Sequence, residues 1–240
     1  MRLAIISGGS KGLGLALCEH YLAQGFRVLE FSRSAPHSFS AKVDFTSPEE
    51  SRAAVHAALA ALPEGPWDEI VVIANAAVIT PIGPVARQAP AALIETMNAS
   101  FISSVLFIAE AVARFQATAC RKTLLNISSG AALRGQAGVS LYCASKAGLE
   151  NFIRALALEQ AAEACPFIAV NVDPGAMETG MQQSILTSSK DDFPDLDRFL
   201  QRQASGSLRE PARVAAAAAR IAALPGLAGG ERHNVGDHGY

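Results

Sequence analysis

An α/β fold is predicted by this sequence: a doubly wound parallel sheet with helices on both faces, in a single domain spanning 1–240. Three observations carry the prediction. Short apolar runs alternate with helical stretches along the chain. The first apolar run ends in a glycine-rich turn that opens a helix. No linker or repeat divides the chain. The apolar runs are continuous rather than alternating, as strands covered on both faces require.

The elements follow in order. "RLAIIS" (2–7) reads as a buried strand, and "LGLALCEHYLAQG" (13–25) as a helix ending at Gly25, a natural left-handed terminus. "RVLEFS" (27–32) is a second strand and "AKVDF" (41–45) a short third. "SPEESRAAVHAALAAL" (47–62) opens with Ser47, Pro48 and two glutamates, which together mark a helix start. "DEIVVIAN" (68–75) is a fourth strand, 90–117 one long helix, and "KTLLNISS" (122–129) a fifth strand. A helix is expected over 139–164, a sixth strand at "PFIAVNVDP" (166–174), a late helix over 210–224 and a last strand at "ERHNVG" (231–236). Residues 181–207, "MQQSILTSSKDDFPDLDRFLQRQASGS", break the rhythm. They read as a polar, irregular, lid-like insertion outside the sheet.

Composition narrows the function. The chain has 240 residues, of which 50% are hydrophobic and 18% charged, a globular composition. Net charge is −2 with no basic block, so no nucleic-acid partner is expected. Cysteines 18, 120, 143 and 165 form no CxxC pair, which fits a reducing, cytoplasmic location. The apolar run in "MRLAIISGGSKGLG" is too short for a secretory signal. No uninterrupted apolar stretch approaches ~20 residues, so no membrane partner is expected. The five histidines show no metal-binding spacing, and no metal is expected.

Three stretches carry chemistry. In "SGGSKGLG" (7–14), Gly8, Gly12 and Gly14 follow a strand and precede a helix. Such a turn brings backbone N–H groups and a helix N-terminus against a dinucleotide's pyrophosphate. The second stretch is "EFSRSA", at the end of strand two. A carboxylate expected ~20 residues after the glycines would hold the ribose of NAD. Ser32 and Arg33 stand there instead, with Lys11 nearby in the glycine turn. Two cations suit the 2′-phosphate of NADP, so NADP(H) is preferred. Were the strand to end earlier, Glu30 would hold the ribose and NAD(H) would be used.

The third is the set Asn98, Ser129, Tyr142 and Lys146. Helical geometry places Tyr142 and Lys146 on one face. An unperturbed phenol, with a pKa of ~10, is a poor acid at neutral pH. A neighbouring ammonium lowers that pKa. Ser129, at a strand end, is placed to hydrogen-bond a carbonyl oxygen.

These motifs together resemble the short-chain dehydrogenase/reductase family, with its Rossmann-type fold, over nearly the whole chain. "SGGSKGLG" resembles its cofactor turn, bringing in Ser10 and Leu13; "DF" (44–45) resembles its adenine-contacting step, carried by Asp44 and Phe45. "ANAA" (74–77) is similar to the family's NNAG turn through Asn75, though it lacks the first Asn and the final Gly. "MNASF" carries Asn98, "NISSGAA" the serine strand, and "YCASK" the YxxxK pair. "DPGAMETGM" (173–181) resembles the PG motif, bringing in Pro174, Gly175 and Met177, with Thr179 at the nicotinamide carboxamide. "PGAMETGMQ" and the brief C-terminus resemble the sepiapterin and benzil reductase branch.

The resemblance implies the roles. Tyr142 protonates a substrate carbonyl as hydride arrives from the nicotinamide. Lys146 holds the ribose hydroxyls and tunes Tyr142, Ser129 positions the carbonyl, and Asn98 holds a water that links Lys146 to solvent. The expected activity is NADPH-dependent reduction of a ketone or aldehyde. An NAD-dependent alcohol dehydrogenase and a non-catalytic dinucleotide sensor are the alternatives. The substrate walls are expected from 130–141 and 181–207. The resemblance also implies a homodimer or homotetramer, with Phe107, Ala111, Phe152 and Leu156 on outward helix faces. With "NVGDHGY" at the end of the sequence, a long C-terminal arm of the kind used in some family tetramers is not expected.

Overall fold

The computed structural model describes residues 1–240. Seven strands form one sheet in the order β3-β2-β1-β4-β5-β6-β7. They are β1 (Arg2–Ser7), β2 (Arg27–Ser32), β3 (Ser40–Lys42), β4 (Glu69–Ala74), β5 (Arg121–Ile127), β6 (Ile168–Asp173) and β7 (Arg232–Asn234). Every neighbouring pair is parallel. The helices are α1 (Gly12–Ala23), α2 (Pro48–Ala60), α3 (Pro90–Met97), α4 (Ser103–Phe115), α5 (Ser140–Gln160), α6 (Gly180–Leu186), α7 (Leu196–Ala204) and α8 (Pro211–Ala222).

The continuous apolar strands divide their side chains by the two-residue period. In β1, Ala4 and Ile6 join a core with α1 and α8, through Leu17, Tyr21, Val214 and Ala218. Leu3 and Ile5 join the opposite core with α2, α4 and α5, through Val55, Phe107, Phe115 and Ile153. Helices thus cover both faces of the sheet, as the sequence predicts.

Three elements differ from the sequence reading. The helix expected over 90–117 is interrupted by a π turn, Asn98–Ile102, in which the Ser103 N–H bonds to the Asn98 carbonyl. By length and composition the run Pro90–Phe115 is apolar enough to cross a membrane. Here its apolar face packs on the sheet through Phe107, Ile108, Ala111 and Phe115.

The stretch 181–207 is not irregular. It contains most of α6 and all of α7. Isolated apolar residues among many polar ones hid the periodicity, because only one narrow face of each helix is buried. Ile185, Leu196 and Phe199 pack with Phe193, Ile79, Ala131, Val139 and Cys143 in a third, small core. That core fixes the two helices against the loop that follows β5.

The third correction concerns the outward faces. Phe107, Ala111 and Leu156 are buried against the sheet of their own chain and present nothing to a partner. Phe152 is only partly buried and packs at the edge of the same core. Helical spacing shows that residues share a face but not which way that face points. Ile102, 40% exposed, and Leu158, 78% exposed, are the large apolar side chains these helices turn outward.

Candidate active site

All strands run the same way, so their C-terminal ends lie along one edge of the sheet. The glycine turn after β1 sits there. Gly8 takes φ +74°, where a side chain would be strained. Gly14 is needed for close approach: a Cβ there would lie 2.0 Å from the Gly8 carbonyl oxygen. Neighbouring strands hold the turn. Asn75, after β4, donates its side-chain amide to the carbonyls of Ser7 (3.1 Å) and Gly8 (3.0 Å). The Ser7 hydroxyl accepts from the backbone N–H groups of Asn75 and Ala76. From β2, the Glu30 carboxylate accepts the Gly9 N–H at 3.1 Å.

The turn delivers Ser10, Lys11, Gly12 and Leu13 into the start of α1. No side chain caps that helix and its first turn holds no acidic residue. Uncapped N–H groups at a helix N-terminus suit a pyrophosphate, so these residues fit a dinucleotide. A Cβ on Gly12 would meet Thr179 at 3.6 Å, so the PG loop closes over the same turn.

At the end of β2, Glu30 is held within the fold. This residue is fully buried, and it accepts hydrogen bonds from the Ser32 hydroxyl (2.9 Å), the Ser40 hydroxyl and the Gly9 N–H. It faces inward under the glycine turn. Arg33 is exposed just past the strand. The nearby Asp44 is held below the usual carboxylate range by the Thr46 N–H, with the Thr46 hydroxyl and the Arg33 charge adding to the effect. Phe45 turns into the core, and its carbonyl accepts the Ser103 hydroxyl at 2.7 Å.

Ser129 and Tyr142 come together where β5 ends and α5 begins. Lys146 lies one turn further, its Nζ 5.7 Å from the Tyr142 ring centre. That ammonium donates to the Ile127 carbonyl at 2.7 Å and is buried without a carboxylate partner. Burial lowers its pKa to about 8. The Tyr142 phenol is pushed up to about 12, chiefly by burial, with Asp173 adding to the rise and hydrogen bonding with Ser129 working against it. This corrects the sequence expectation. Without a bound cofactor, desolvation sets the direction of the shift, and the phenol stays protonated at neutral pH. Asn98 stands in the π turn and donates to the Thr46 carbonyl at 3.2 Å. It makes no hydrogen bond to Tyr142 or Lys146.

Behind Ser129 lies a buried network the sequence did not reveal. Arg232 of β7 donates to the Ser129 carbonyl (3.0 Å), to Asp173 (3.0 Å) and to Glu150 (2.8 Å). Glu150 of α5 also accepts from the Ser128 hydroxyl (2.5 Å) and Arg154 (2.9 Å). The PG loop is pinned similarly. The Gly175 N–H donates to Asp173 at 2.9 Å, and Arg209 donates to the Pro174 carbonyl at 3.1 Å. Met177 pairs with Arg209 in a short parallel bridge.

Ser129 and Tyr142 form one wall of a cavity of about 290 Å³. Pro174, Gly175, Met177 and Thr179 form another. The outer wall comes from the loop after β5 and from α6 and α7, the two stretches where the sequence places the substrate.

A family model for short chain dehydrogenases matches residues 2–190. The chain is 34% identical to the benzil reductase ((S)-benzoin forming) of Bacillus subtilis (strain 168), over 90% of each chain. It is 26% identical to the benzil reductase of Bacillus cereus, over 90% of this chain and 92% of that one. Its fold matches a short-chain dehydrogenase/reductase structure from Saccharomyces cerevisiae with a TM-score of 0.83 at 21% identity, covering 100% of both chains.

The depressed Lys146 has a consequence for stability. Between about pH 8 and 10.5 the unfolded chain binds a proton at this group that the folded chain does not. Stability from Lys146 therefore rises with pH across that window and is lowest below it. Relative to Lys146→Met, the wild type should gain up to about 1.4 kcal/mol per pH unit there. Urea denaturation of both cofactor-free proteins at pH 7, 8 and 9 checks this. A constant difference between them would show that Lys146 titrates normally.

Proposed function

The chain belongs to the short-chain dehydrogenase/reductase family of NAD(P)-dependent oxidoreductases, and from that premise we propose that it reduces a ketone or aldehyde to an alcohol, with NADPH as reductant and Tyr142 as proton donor. The observation that carries this reading is the meeting of Ser129 with a protonated, half-buried Tyr142 at the wall of a cavity beside the PG loop. The named activity of the Bacillus benzil reductases, a carbonyl reduction, supports it.

The Ser129 hydroxyl donates to the substrate's carbonyl oxygen and fixes it beside the phenol. The bound nicotinamide supplies the hydride. As the oxygen gains negative charge, the Tyr142 proton moves onto it and the alcohol forms. Burial that raises the phenol pKa also makes the resulting phenolate costly. The Lys146 ammonium on the same helix face offsets that cost, and two N–H donors beyond the one spent on Ile127 remain for ribose hydroxyls. Asn98 spends its amide nitrogen on Thr46, which leaves its side-chain oxygen to hold a water for proton resupply.

Three observations support NADPH. Glu30 is buried and fully engaged, Arg33 is exposed at the end of β2, and Lys11 is exposed on the glycine turn. The reading extends to a homo-oligomer in the cytoplasm. Exposed Ile102 and Leu158 support the self-contact, and four free cysteines support a reducing compartment.

Tyr142→Phe should lower kcat with an active ketone by ~10²–10⁴-fold while NADPH binding persists. Near-normal turnover would remove Tyr142 as the acid. Arg33→Ala should weaken NADPH binding by about tenfold and leave NADH little changed, measured by fluorescence titration of both cofactors. A wild type that binds NADH more tightly than NADPH would refute the cofactor assignment. Light scattering should show a dimer or larger species that Leu158→Glu reduces. A monomeric wild type ends the oligomer reading.

A further inference from the structure

We propose that the outer wall of the cavity is an oxyanion-binding subsite, in which Arg134, Arg198, Arg202 and Gln182 hold a carboxylate or phosphate group of the carbonyl substrate. The proposal rests on the carbonyl-reductase reading and names the substrate class for that site.

The four residues come from three parts of the chain and line one cavity. Arg134 lies on the loop after β5, Gln182 on α6, and Arg198 and Arg202 one turn apart on α7. The α7 pair is set on a firm base. Both guanidinium groups lie near the Phe199 ring, 5.6 and 5.5 Å from its centre. Phe199 is itself buried against Phe193 in the small third core. The cations are therefore mounted on packed structure rather than on a free loop.

The charge balance points to a missing anion. Asp173 is the only acidic residue among the cavity walls, and Arg232 already pairs with it. Asp195 pairs with Arg198 at 2.6 Å, at the surface. The side chains of Arg134 and Arg202 have no ion-pair partner within the chain, although Arg202 is only partly exposed. Burial, with the charges of Arg198 and Arg134, makes the Arg202 cation harder to hold, since its pKa is lowered from the usual value. Asp195 offsets part of this charge, but Arg134 and Arg202 keep no carboxylate of their own, and an anion would relieve them.

Two buried donors independently mark the same place. Gln182 is 6% exposed, and its Nε2 has no hydrogen-bond partner. Arg198 Nε is likewise buried without one. Unpaired buried atoms also occur away from the cavity, as at Trp67 Nε1 and Arg121 Nε, but here two donors line one cavity beside unpaired cations, and an acceptor brought by a ligand would satisfy them. Carboxylate and phosphate oxygens supply acceptors with the charge these cations need, and guanidinium groups recognise both in bidentate fashion. The phosphates of the cofactor have their own site at the uncapped start of α1, beside Lys11. The cavity of about 290 Å³ is shared between the nicotinamide end, at the PG loop, and the substrate end, at these arginines.

The test uses the NADPH-loaded chain and matched substrate pairs that differ in charge. The pairs are benzoylformate and its methyl ester, 3-benzoylpropionate and its methyl ester, and dihydroxyacetone phosphate and dihydroxyacetone. In at least one pair the anion should show kcat/KM higher by about tenfold or more. Whether a carboxylate or the phosphate gives the larger ratio identifies the source. The ratio should fall toward one in Arg202→Ala and Arg134→Ala and be partly kept in Arg202→Lys. Calorimetric titration with benzoate and inorganic phosphate, on wild type and Arg202→Gln, reads the subsite without turnover.

Neutral members preferred in every pair, with benzil still reduced, would overturn the subsite and leave the reductase reading standing. Absence of turnover with all compounds, benzil included, would instead defeat the reductase reading. The anion titration then decides the subsite: weaker binding in Arg202→Gln supports it, and equal or absent binding overturns it. Arginine variants that lose NADPH affinity rather than the anion ratio would assign the cluster to the cofactor and overturn the proposal.

Discussion

A parallel sheet brings the C-terminal ends of its strands to one edge, where backbone groups run out of ladder partners. Everything functional in this chain is built on how that edge is satisfied. At β1 the answer is the glycine turn, held by Asn75 from β4 and by Glu30 from β2. These bonds fix the turn before any ligand arrives. They aim the start of α1 outward with its N–H groups uncapped. At β5 and β6 the answer is the Arg232 network, which ties the Ser129 carbonyl, Asp173 and Glu150 into one cluster. Both devices are fully bonded, and buried polar clusters of that kind hold a unique geometry.

Electrostatics within this frame work through burial more than through pairing. Lys146 has no carboxylate partner, only the Ile127 carbonyl, and its charge is correspondingly easy to lose. Tyr142 is disfavoured as a phenolate by the same low-dielectric surroundings. The two neighbours therefore shift toward their neutral forms before a cofactor binds. In the proposed reaction this keeps the proton on the phenol until a carbonyl oxygen can take it, with the ammonium close enough to steady what is left. Asp173 would push the phenol still higher, and its pairing with Arg232 places a compensating cation beside it.

The two walls of the cavity rest on different parts of the fold. The wall with Ser129 and Tyr142, proposed as catalytic, stands on strand ends and the first turns of α5, which the main cores hold. The opposite wall, proposed to recognise substrate, stands on α6 and α7, which the small third core holds. The arginines of α7 belong to that second wall, and they sit over Phe199 rather than over the sheet.

Much of this was legible in the residues themselves. Continuous apolar strands and their alternation with helices determined the fold class, because a strand buried on both faces leaves no other pattern. The glycines at 8, 12 and 14, and Tyr142 and Lys146 at one-turn spacing, located the site, because local backbone geometry sets both. Tertiary structure decided the rest. Spacing along β2 did not show which way Glu30 points, and the register of β2 and β3 sets it opposite Ser40, under the glycine turn. Phe107 and Ala111 shared a helical face by spacing, and only packing against the sheet showed that the face points inward. Arg232 and Arg209 gave no signal, since their partners are distant in sequence. The pKa of Tyr142 ran opposite to the expectation from its neighbour. A pairwise charge effect can be read from spacing along a helix, but desolvation is summed over every atom that folds around the group.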